Sequence, residues 1–264
     1  MTRTYVVTGS ASGIGATTAR ILGERGHRVI GIDLKGADVE ADLSTPQGRL
    51  DAAAAAIELA GGTIDAVIAC AGISAPIAKT ISVNYFGVTE LLEALRPALA
   101  ASDAPRAAVV SSMASLQQNS AEMVEAALAG DEAGALAIAE QYAAAGGMAG
   151  YIVYPSSKRA LSRWVRRQSI TPEWAGAGIP LNAVAPGTVL TPMTQELLST
   201  EENRQMVDAN VPMPLNYHQP PESIANLLIW LTSEENTHLA GQVIYDDGGA
   251  DASLRGDDIW SWND

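Results

Sequence analysis

A tyrosine and a lysine spaced four residues apart, Tyr154 and Lys158, form the pair in this sequence best suited to moving a proton. Residues at this spacing lie one turn apart on the same face of a helix. A free phenol has a pKa of about 10 and is a poor base at neutral pH. A neighbouring ammonium favours the phenolate and lowers the pKa of the phenol, so Tyr154 could take the hydroxyl proton of an alcohol and return it to a ketone. Tyr85 and Tyr151 have no lysine four residues further on.

Two serines, Ser111 and Ser112, lie at the end of a run that predicts a strand, Ala107–Ser111. Open parallel sheets bind their ligands at the carboxyl ends of the strands. A serine hydroxyl at that place can donate a hydrogen bond to the substrate oxygen and orient it. Because adjacent strand residues face opposite ways, only one of the two serines can point at the substrate.

A glycine-rich segment, residues 8–15 (TGSASGIG), lies between a short β-branched run, Thr4–Val7, and a helical pattern, Ile14–Arg25. Glycines at such a turn let the backbone approach a pyrophosphate, and the helix N-terminus supplies free N–H groups and positive potential. The segment therefore predicts a phosphate site for a dinucleotide, formed by Gly9, Ser12, Gly13, Ile14 and Gly15.

An aspartate, Asp33, ends the second predicted strand, Arg28–Ile32, where a carboxylate can accept hydrogen bonds from ribose hydroxyls. The alternative is a solvated aspartate in a turn. A 2′-phosphate would bring a second negative charge within a few ångströms, at a cost of roughly 4 kcal/mol for an effective dielectric constant near 20. No arginine stands at Ser12 or Leu34 to offset that repulsion, although Lys35 is close. The sequence therefore favours NAD over NADP, with Asp33 and Leu34 beside the ribose.

Short β-branched runs alternate with longer amphipathic stretches along the whole chain. This alternation predicts βαβ units in a single Rossmann-type α/β domain, residues 1–264, with helices on both faces of a doubly wound parallel sheet. The weak third strand, Val39–Leu43, would place Asp42 and Leu43 alongside the adenine. The other predicted strands are Ile64–Cys70, Pro180–Ala185 and Gln242–Tyr245, and the other predicted helices are Pro46–Ala60, Ile81–Ala101, Leu161–Trp174 and Ser223–Leu231.

Composition excludes several functional classes. The chain of 264 residues is 47% hydrophobic and 17% charged, which is too apolar for a disordered protein. A net charge of −14 opposes binding to nucleic acid or to an anionic membrane surface. One cysteine excludes an internal disulfide, and three scattered histidines predict no metal site. We expect a cytoplasmic protein, because no apolar run reaches the about 20 residues of a spanning helix and the start lacks the pattern of a signal peptide.

The order of the motifs resembles the short-chain dehydrogenase/reductase family over nearly the whole chain. Beyond the glycine spacing and the Tyr-x-x-x-Lys pair, the matching motifs are Cys70-Ala71-Gly72 (most members have Asn-Ala-Gly), Asn84 within VNYFG, Ser111-Ser112, Pro186-Gly187, Thr191-Pro192-Met193 and Asp247-Gly248-Gly249. The resemblance implies an oxidoreductase that transfers a hydride between a nicotinamide cofactor and a secondary alcohol or ketone.

The resemblance also implies a role for individual residues. Ser112, rather than Ser111, would contact the substrate, and Asn84 would hold a water that links Lys158 to solvent. Lys158 would also bond the nicotinamide ribose. The cofactor would further contact Cys70, Ala71, Gly72, Asn84, Tyr154, Pro186, Gly187, Val189 and Thr191, the last two at the nicotinamide carboxamide.

One long insertion separates Ser112 from Tyr154, and its 41 residues, 113–153, are far more than most members of the family have there. It looks like the bacterial 3α-hydroxysteroid dehydrogenase/carbonyl reductase subgroup, in which such an insertion blocks the usual four-helix subunit contact. The likeness implies a homo-oligomer, dimer or tetramer, built through another face. Within the insertion, Glu122–Ala145 is helix-prone but punctuated by glycines, which predicts two short helices. A surface insertion, a lid and a subunit contact remain open alternatives.

The substrate region is expected at residues 188–215, which are rich in apolar side chains such as Met193 and Leu197. Met113 and Met148, near the two ends of the insertion, could border the same pocket. Such side chains suit a bulky apolar alcohol, because methionine adapts to varied shapes. The alternative for the region is an amphipathic surface helix. The alternative substrate is a small polar alcohol or sugar, and a non-catalytic NAD-binding regulator is a third hypothesis.

The acidic tail, residues 250–264, contains Trp260 and Trp262. Two tryptophans need somewhere to be buried, either on their own domain or against a neighbouring subunit or the pocket mouth.

Overall fold

Seven parallel strands form one twisted sheet in the computed structural model, which describes residues 2–261. The strands are β1 (Thr4–Thr8), β2 (Arg28–Asp33), β3 (Val39–Glu40), β4 (Ala66–Ala69), β5 (Arg106–Val110), β6 (Leu181–Pro186) and β7 (Val243–Asp246). Their order across the sheet is β3-β2-β1-β4-β5-β6-β7. The strand order reverses direction between β1 and β4, which is where open α/β sheets bind their ligands.

Twelve helical segments of the described residues connect and cover these strands. They are α1 (Gly13–Glu24), α2 (Pro46–Ala60), α3 (Lys79–Ile81), α4 (Gly87–Ala100), α5 (Ala121–Leu128), α6 (Glu132–Ala145), α7 (Gly147–Gly150), α8 (Val153–Gln168), α9 (Pro192–Gln195), α10 (Glu201–Asn210), α11 (Pro221–Leu231) and α12 (Ala250–Arg255). A π-helical turn, Ser82–Phe86, joins α3 to α4, and single 3-10 turns lie at Met113–Leu116 and Ala175–Ala177.

Two apolar layers hold the helices on opposite faces of the sheet. On one face α1 packs against α11, with Leu22 and Leu228 fully buried over β1 and β4. On the other face α2, α4 and α8 bury residues such as Leu95 and Leu161. The predicted doubly wound α/β fold in a single domain is confirmed, because parallel strands joined by right-handed crossovers must cover both faces.

The insertion before the tyrosine contains the two predicted helices, α5 and α6, followed by the short α7. Gly130, with φ of +76°, lies between α5 and α6. Asp131 then begins α6 by accepting a hydrogen bond from the amide of Gly134 at 2.9 Å. Gly134 was expected to interrupt the helix, but it lies inside α6. A Cβ on Gly134 would lie 2.1 Å from the Asp131 carboxylate, so glycine leaves room for that side chain.

Two predicted elements have different bounds in the structure. The helix expected to run to Trp174 ends at Gln168, because Thr171 precedes Pro172 and the residue before a proline disfavours helical geometry. The third strand covers only Val39–Glu40, because Asp42 folds back to accept hydrogen bonds from the amide and hydroxyl of Ser44.

No helix in the described part of the chain has both the length and the apolarity needed to cross a bilayer. Residues 2–261 likewise bring together no group of three histidine, cysteine, aspartate or glutamate side chains that could hold a metal ion.

Candidate active site

A cavity of about 530 Å³ runs along the carboxyl ends of the central strands. One end is formed by the glycine loop and Asp33, and the other by Ser112, Tyr154 and Lys158. Most of the predicted cofactor residues line it, namely Gly9, Ser12, Gly13, Ile14, Gly15, Asp33, Leu34, Asp42, Leu43, Cys70, Ala71, Gly72, Tyr154, Lys158, Pro186, Gly187, Val189 and Thr191. The structure therefore joins motifs that are up to 182 residues apart, Gly9 to Thr191, in one cleft.

The glycine loop is shaped by close approaches between backbone segments. Gly9 has a φ of +66°, and a Cβ there would lie 2.9 Å from the amide nitrogen of Ala71. A Cβ on Gly15 would lie 2.2 Å from the carbonyl oxygen of Gly9. Among the described residues, the Ser12 side chain caps no backbone N–H group in the first turn of α1, so the N–H groups of that turn can donate hydrogen bonds to an anion. The loop thus fits the phosphates of a dinucleotide.

Asp33 stands at the rim of the cavity with both carboxylate oxygens oriented by the backbone. Oδ2 accepts a hydrogen bond from the amide of Ala11 at 2.9 Å, and Oδ1 accepts one from the amide of Leu34 at 2.7 Å. A carboxylate offers about four lone-pair sites, so these two bonds leave room for ribose hydroxyls.

Asp42 anchors the turn that follows β3, and this turn borders the cavity. The hydrogen bond from the Ser44 hydroxyl (2.6 Å) is the largest cause that lowers the pKa of Asp42 to about 2, and burial opposes it. Lys79, 3.0 Å from Asp42, lowers the pKa further. Lys79 lines the cavity but was not predicted, since no motif surrounds it and only the fold brings it to Asp42.

Helix α8 places Tyr154 and Lys158 one turn apart at the inner end of the cavity. Lys158 is 4% exposed, and its ammonium donates a hydrogen bond to the carbonyl of Val110 at 2.9 Å. Burial lowers the pKa of Lys158 to about 8, and the nearby Cys70 raises it slightly. Gly72 keeps space open here, because a Cβ on it would lie 3.5 Å from the Lys158 nitrogen.

The Tyr154 side chain is partly buried and lies beside the Ser112 hydroxyl. Burial raises the pKa of Tyr154, and the nearby Ser112 hydroxyl lowers it in part. The Lys158 nitrogen lies 5.8 Å from the centroid of the phenol ring and bonds Val110, so desolvation outweighs its charge.

The two adjacent serines have different partners. The Ser111 hydroxyl lies 2.7 Å from the Ser162 hydroxyl and donates to the carbonyl of Lys158 at 3.2 Å, within the buried face of α8. The Ser112 hydroxyl accepts only a local hydrogen bond from the amide of Ala114 at 3.1 Å, within the described residues, and faces Tyr154. Of the two, Ser112 is therefore placed to meet a ligand next to the tyrosine.

Asn84 is fully buried in the π-helical turn and binds the loop that follows β4. Its Oδ1 accepts from the amide of Ile73 at 2.8 Å, while Nδ2 donates to the carbonyl of Ile73 at 2.9 Å and to Ser157 at 3.1 Å. These bonds use both amide hydrogens and one of the two Oδ1 lone pairs. A Cβ on Gly72 would lie 3.1 Å from Oδ1, so the remaining lone pair is close to Gly72 and hence to Lys158.

The predicted substrate residues are only partly gathered at the cleft. Met193 lines the cavity and is 46% exposed, whereas Leu197 is half-buried and does not line it. Met113 is buried beneath the cleft at 1% exposure, because the 3-10 turn that it begins folds against α8. The Met148 side chain lies outside what the structure describes. Pro192 and Thr194, from the expected substrate region, also line the cavity, as do Ile73 and Val83, which were not predicted.

The structure describes one of the two tryptophans of the tail, Trp260. Trp260 is 69% exposed, so it does not pack on its own domain as one alternative required. Trp262 lies outside the described residues.

Comparison with known proteins agrees with this geometry. A family model described as enoyl-(acyl carrier protein) reductase matches residues 9–251. The 3-alpha-hydroxysteroid dehydrogenase/carbonyl reductase of Comamonas testosteroni is 38% identical over 255 residues, which are 95% of this chain and 97% of that protein. The galactitol 2-dehydrogenase (L-tagatose-forming) of Cereibacter sphaeroides is 31% identical over 258 residues, 92% of each chain.

A solved structure gives the same result at the level of the fold. The 3-alpha-hydroxysteroid dehydrogenase of Pseudomonas sp. B-0831, crystallised in complex with NADH, superposes with a TM-score of 0.88 at 40% identity and covers 97% of this chain and 100% of its own. The family predicted from the order of the motifs is confirmed. The chain belongs to the short-chain dehydrogenase/reductase family, and it is an oxidoreductase whose fold binds a nicotinamide cofactor.

Proposed function

We propose that this protein is an NAD-dependent dehydrogenase/carbonyl reductase that interconverts a bulky, apolar secondary alcohol and its ketone. The observation that carries the proposal is the meeting of Ser112, Tyr154 and Lys158 at one end of the cavity whose other end holds the glycine loop and Asp33. A proton-transfer group and a dinucleotide site in one cleft are the two parts that alcohol oxidation needs.

Each residue of the inner end has one task in this mechanism. Ser112 donates a hydrogen bond to the substrate oxygen, and Tyr154 takes the hydroxyl proton in oxidation and returns it in reduction. Lys158 holds the ribose hydroxyls and keeps positive potential beside the phenol, while Asn84 positions a water through its remaining lone pair. When bound, the oxidised dinucleotide supplies the hydride acceptor and a positive charge that favours the Tyr154 phenolate.

The residues at the mouth of the cleft support an apolar substrate. At the start of α9 the Thr194 hydroxyl accepts a hydrogen bond from the amide of Thr191 at 3.1 Å and donates to the carbonyl of Val189 at 2.5 Å. The Thr194 hydroxyl is thus engaged within the protein, while Pro192 and the half-exposed Met193 face the cavity. The relatives named for hydroxysteroids support the same class of substrate.

A small polar alcohol or sugar is the second candidate, and the relative that acts on galactitol favours it. It requires several hydrogen-bonding groups to face the substrate, because buried polar groups of a ligand must be paired. A non-catalytic regulator fits less well, since it would not need the Tyr154–Lys158 pair.

A substrate screen distinguishes these functions. Purified protein is given NAD or NADP with 3α-hydroxysteroids, cyclic and aryl secondary alcohols, and polyols, and the absorbance of the reduced cofactor is followed. We expect turnover with NAD and the apolar alcohols. Turnover confined to polyols would replace the proposed substrate class by the second candidate, and failure with every alcohol and ketone would contradict the proposed activity.

Exchange of Asp33 for serine tests the preference for NAD. Asp33→Ser removes the charge that opposes a 2′-phosphate, so the ratio of kcat/KM for NADP to that for NAD should rise at least about tenfold. The control is Asp38→Asn, which removes a negative charge near the same rim but outside the cavity and retains an oxygen for the amide of Gly31. A wild-type enzyme already faster with NADP would contradict the assignment.

We also propose that the protein is a homo-oligomer whose subunits do not contact each other through α4 and α8, the helices before and after the insertion. The support is that α5 of the insertion packs along α8.

A further inference from the structure

Arg49 is a buried arginine that belongs to none of the motifs of the sequence. It belongs to α2 and is 1% exposed. Its five N–H donors are all engaged, with acceptors on Leu43, Ser44, Glu90 and Glu132. A guanidinium with every donor used is fixed in orientation and fixes its partners in turn.

Two of these acceptors belong to the turn that borders the cavity. Arg49 Nε donates to the carbonyl of Leu43 at 2.9 Å, and Nη2 donates to the carbonyl of Ser44 at 3.1 Å. The same turn carries Asp42, whose carbonyl oxygen lies 2.2 Å from where a Cβ on Gly48 would stand. Asp42 and Leu43 both line the cavity, so the position of this turn shapes the site.

The other acceptors are two glutamates from distant parts of the chain. Glu132, the first residue of α6 in the insertion, binds in a fork, with distances of 2.6 Å to Nη2 and 2.8 Å to Nη1. Glu90 on α4 binds Nη1 through one oxygen at 2.9 Å. The Glu132 side chain is 19% exposed and that of Glu90 is 46% exposed, so Glu132 is the less screened of the two.

Removing Glu132 would leave the charge of Arg49 to a single, half-exposed carboxylate. A buried charge that loses a partner is strongly disfavoured and seeks new partners or water. The Arg49 side chain would then shift toward Glu90 or toward solvent, and its hydrogen bonds to Leu43 and Ser44 would weaken. The turn that borders the cavity would lose its support.

We propose that Glu132 of the insertion acts through Arg49 to position the Asp42–Ser44 turn and thereby raises the affinity for the adenosine half of the dinucleotide. Both are positioning residues. The inference rests on the proposed function in one respect, that the adenosine half lies beside Asp42 and Leu43. It gives the insertion a role in cofactor binding in addition to its packing on α8.

Binding of AMP and of NADH, measured by calorimetry, tests the proposal without turnover. Glu132→Gln keeps the size of the side chain and removes its charge. We expect its Kd for AMP and NADH to rise by roughly tenfold. Under saturating NAD, kcat and the KM for the alcohol should stay near wild type, because Tyr154 and Ser112 are not touched. Glu132→Asp, which keeps the charge but shortens the reach, should fall between the two.

The matched control is Glu125→Gln, which removes the other ion pair of the insertion, the one between Glu125 and Arg163 on α8. It should bind AMP and NADH like the wild type. Wild-type affinity in Glu132→Gln, or an equal loss in Glu125→Gln, would overturn the proposal. A wild-type protein that binds neither ligand would instead refute the dinucleotide site itself, so the two failures are distinguishable.

Discussion

Replacing Tyr154 by phenylalanine is expected to lower kcat by about a thousandfold or more, toward the upper part of the 10²–10⁴-fold contribution of general acid–base catalysis. The phenol hydroxyl is the group beside Ser112 that can exchange a proton with the substrate. Phenylalanine keeps the ring and hence the packing of α8. The Kd for NADH should therefore change by less than about twofold.

The control for this substitution is Tyr151→Phe, which removes a phenol that is 49% exposed three residues earlier. It should leave kcat unchanged. Turnover at the wild-type rate in Tyr154→Phe would refute the assigned acid and base, whichever substrate is used.

Replacing Lys158 by methionine is expected to reduce kcat/KM by at least about a hundredfold. The ammonium is placed to bind the ribose and to favour the phenolate, and methionine can do neither. Both the KM for NAD and kcat should be affected. Steady-state kinetics with NAD and the best alcohol of the screen measure this change.

The same variant should not be less stable than the wild type near neutral pH. Burial lowers the pKa of Lys158 to about 8 in the folded protein, against about 10.4 in an unfolded chain, a difference of about 3 kcal/mol. Losing the hydrogen bond to Val110 costs about 1 kcal/mol. The free energy of unfolding of Lys158→Met should therefore match or exceed that of the wild type, which separates lost chemistry from misfolding.

The pH dependence of that stability difference has a definite sign. Between about pH 8 and pH 10.4 the folded wild type has lost the Lys158 proton while the unfolded chain still holds it. Because the unfolded state then binds more protons, the stability of the wild type rises with pH relative to the variant. Chemical denaturation of both proteins should show the advantage of Lys158→Met shrinking through this window. An advantage that grows would contradict the buried ammonium.

Local patterns in the sequence predicted the parts of the site that depend on single turns. The glycine loop, Asp33 and the Tyr154–Lys158 pair each follow one strand or occupy one helix, so spacing alone indicates their geometry. The predicted C-terminus of α8 was wrong, because Pro172 disfavours helical geometry at the residue before it, Thr171. Burial, which depends on the packed fold, raises the pKa of Tyr154 in the absence of cofactor and could not be predicted from the spacing of the two residues.

Contacts across the fold could not be predicted in this way. Arg49 and Glu132 are 83 residues apart, and Lys79 and Asp42 are 37 apart. Nothing in their neighbouring residues indicates a partner. Met113 was expected to border the pocket because it lies near one end of the insertion, but the 3-10 turn folds it beneath the cleft.

The fate of the hydride tests the central claim most directly. Wild-type protein is given NAD and an apolar secondary alcohol that carries deuterium on its carbinol carbon, and the reduced cofactor is analysed by mass spectrometry. We predict NADH that carries the deuterium, and none from Tyr154→Phe in the same time. Ketone formed without deuterium entering the cofactor, or labelled NADH formed equally fast by Tyr154→Phe, would contradict the account.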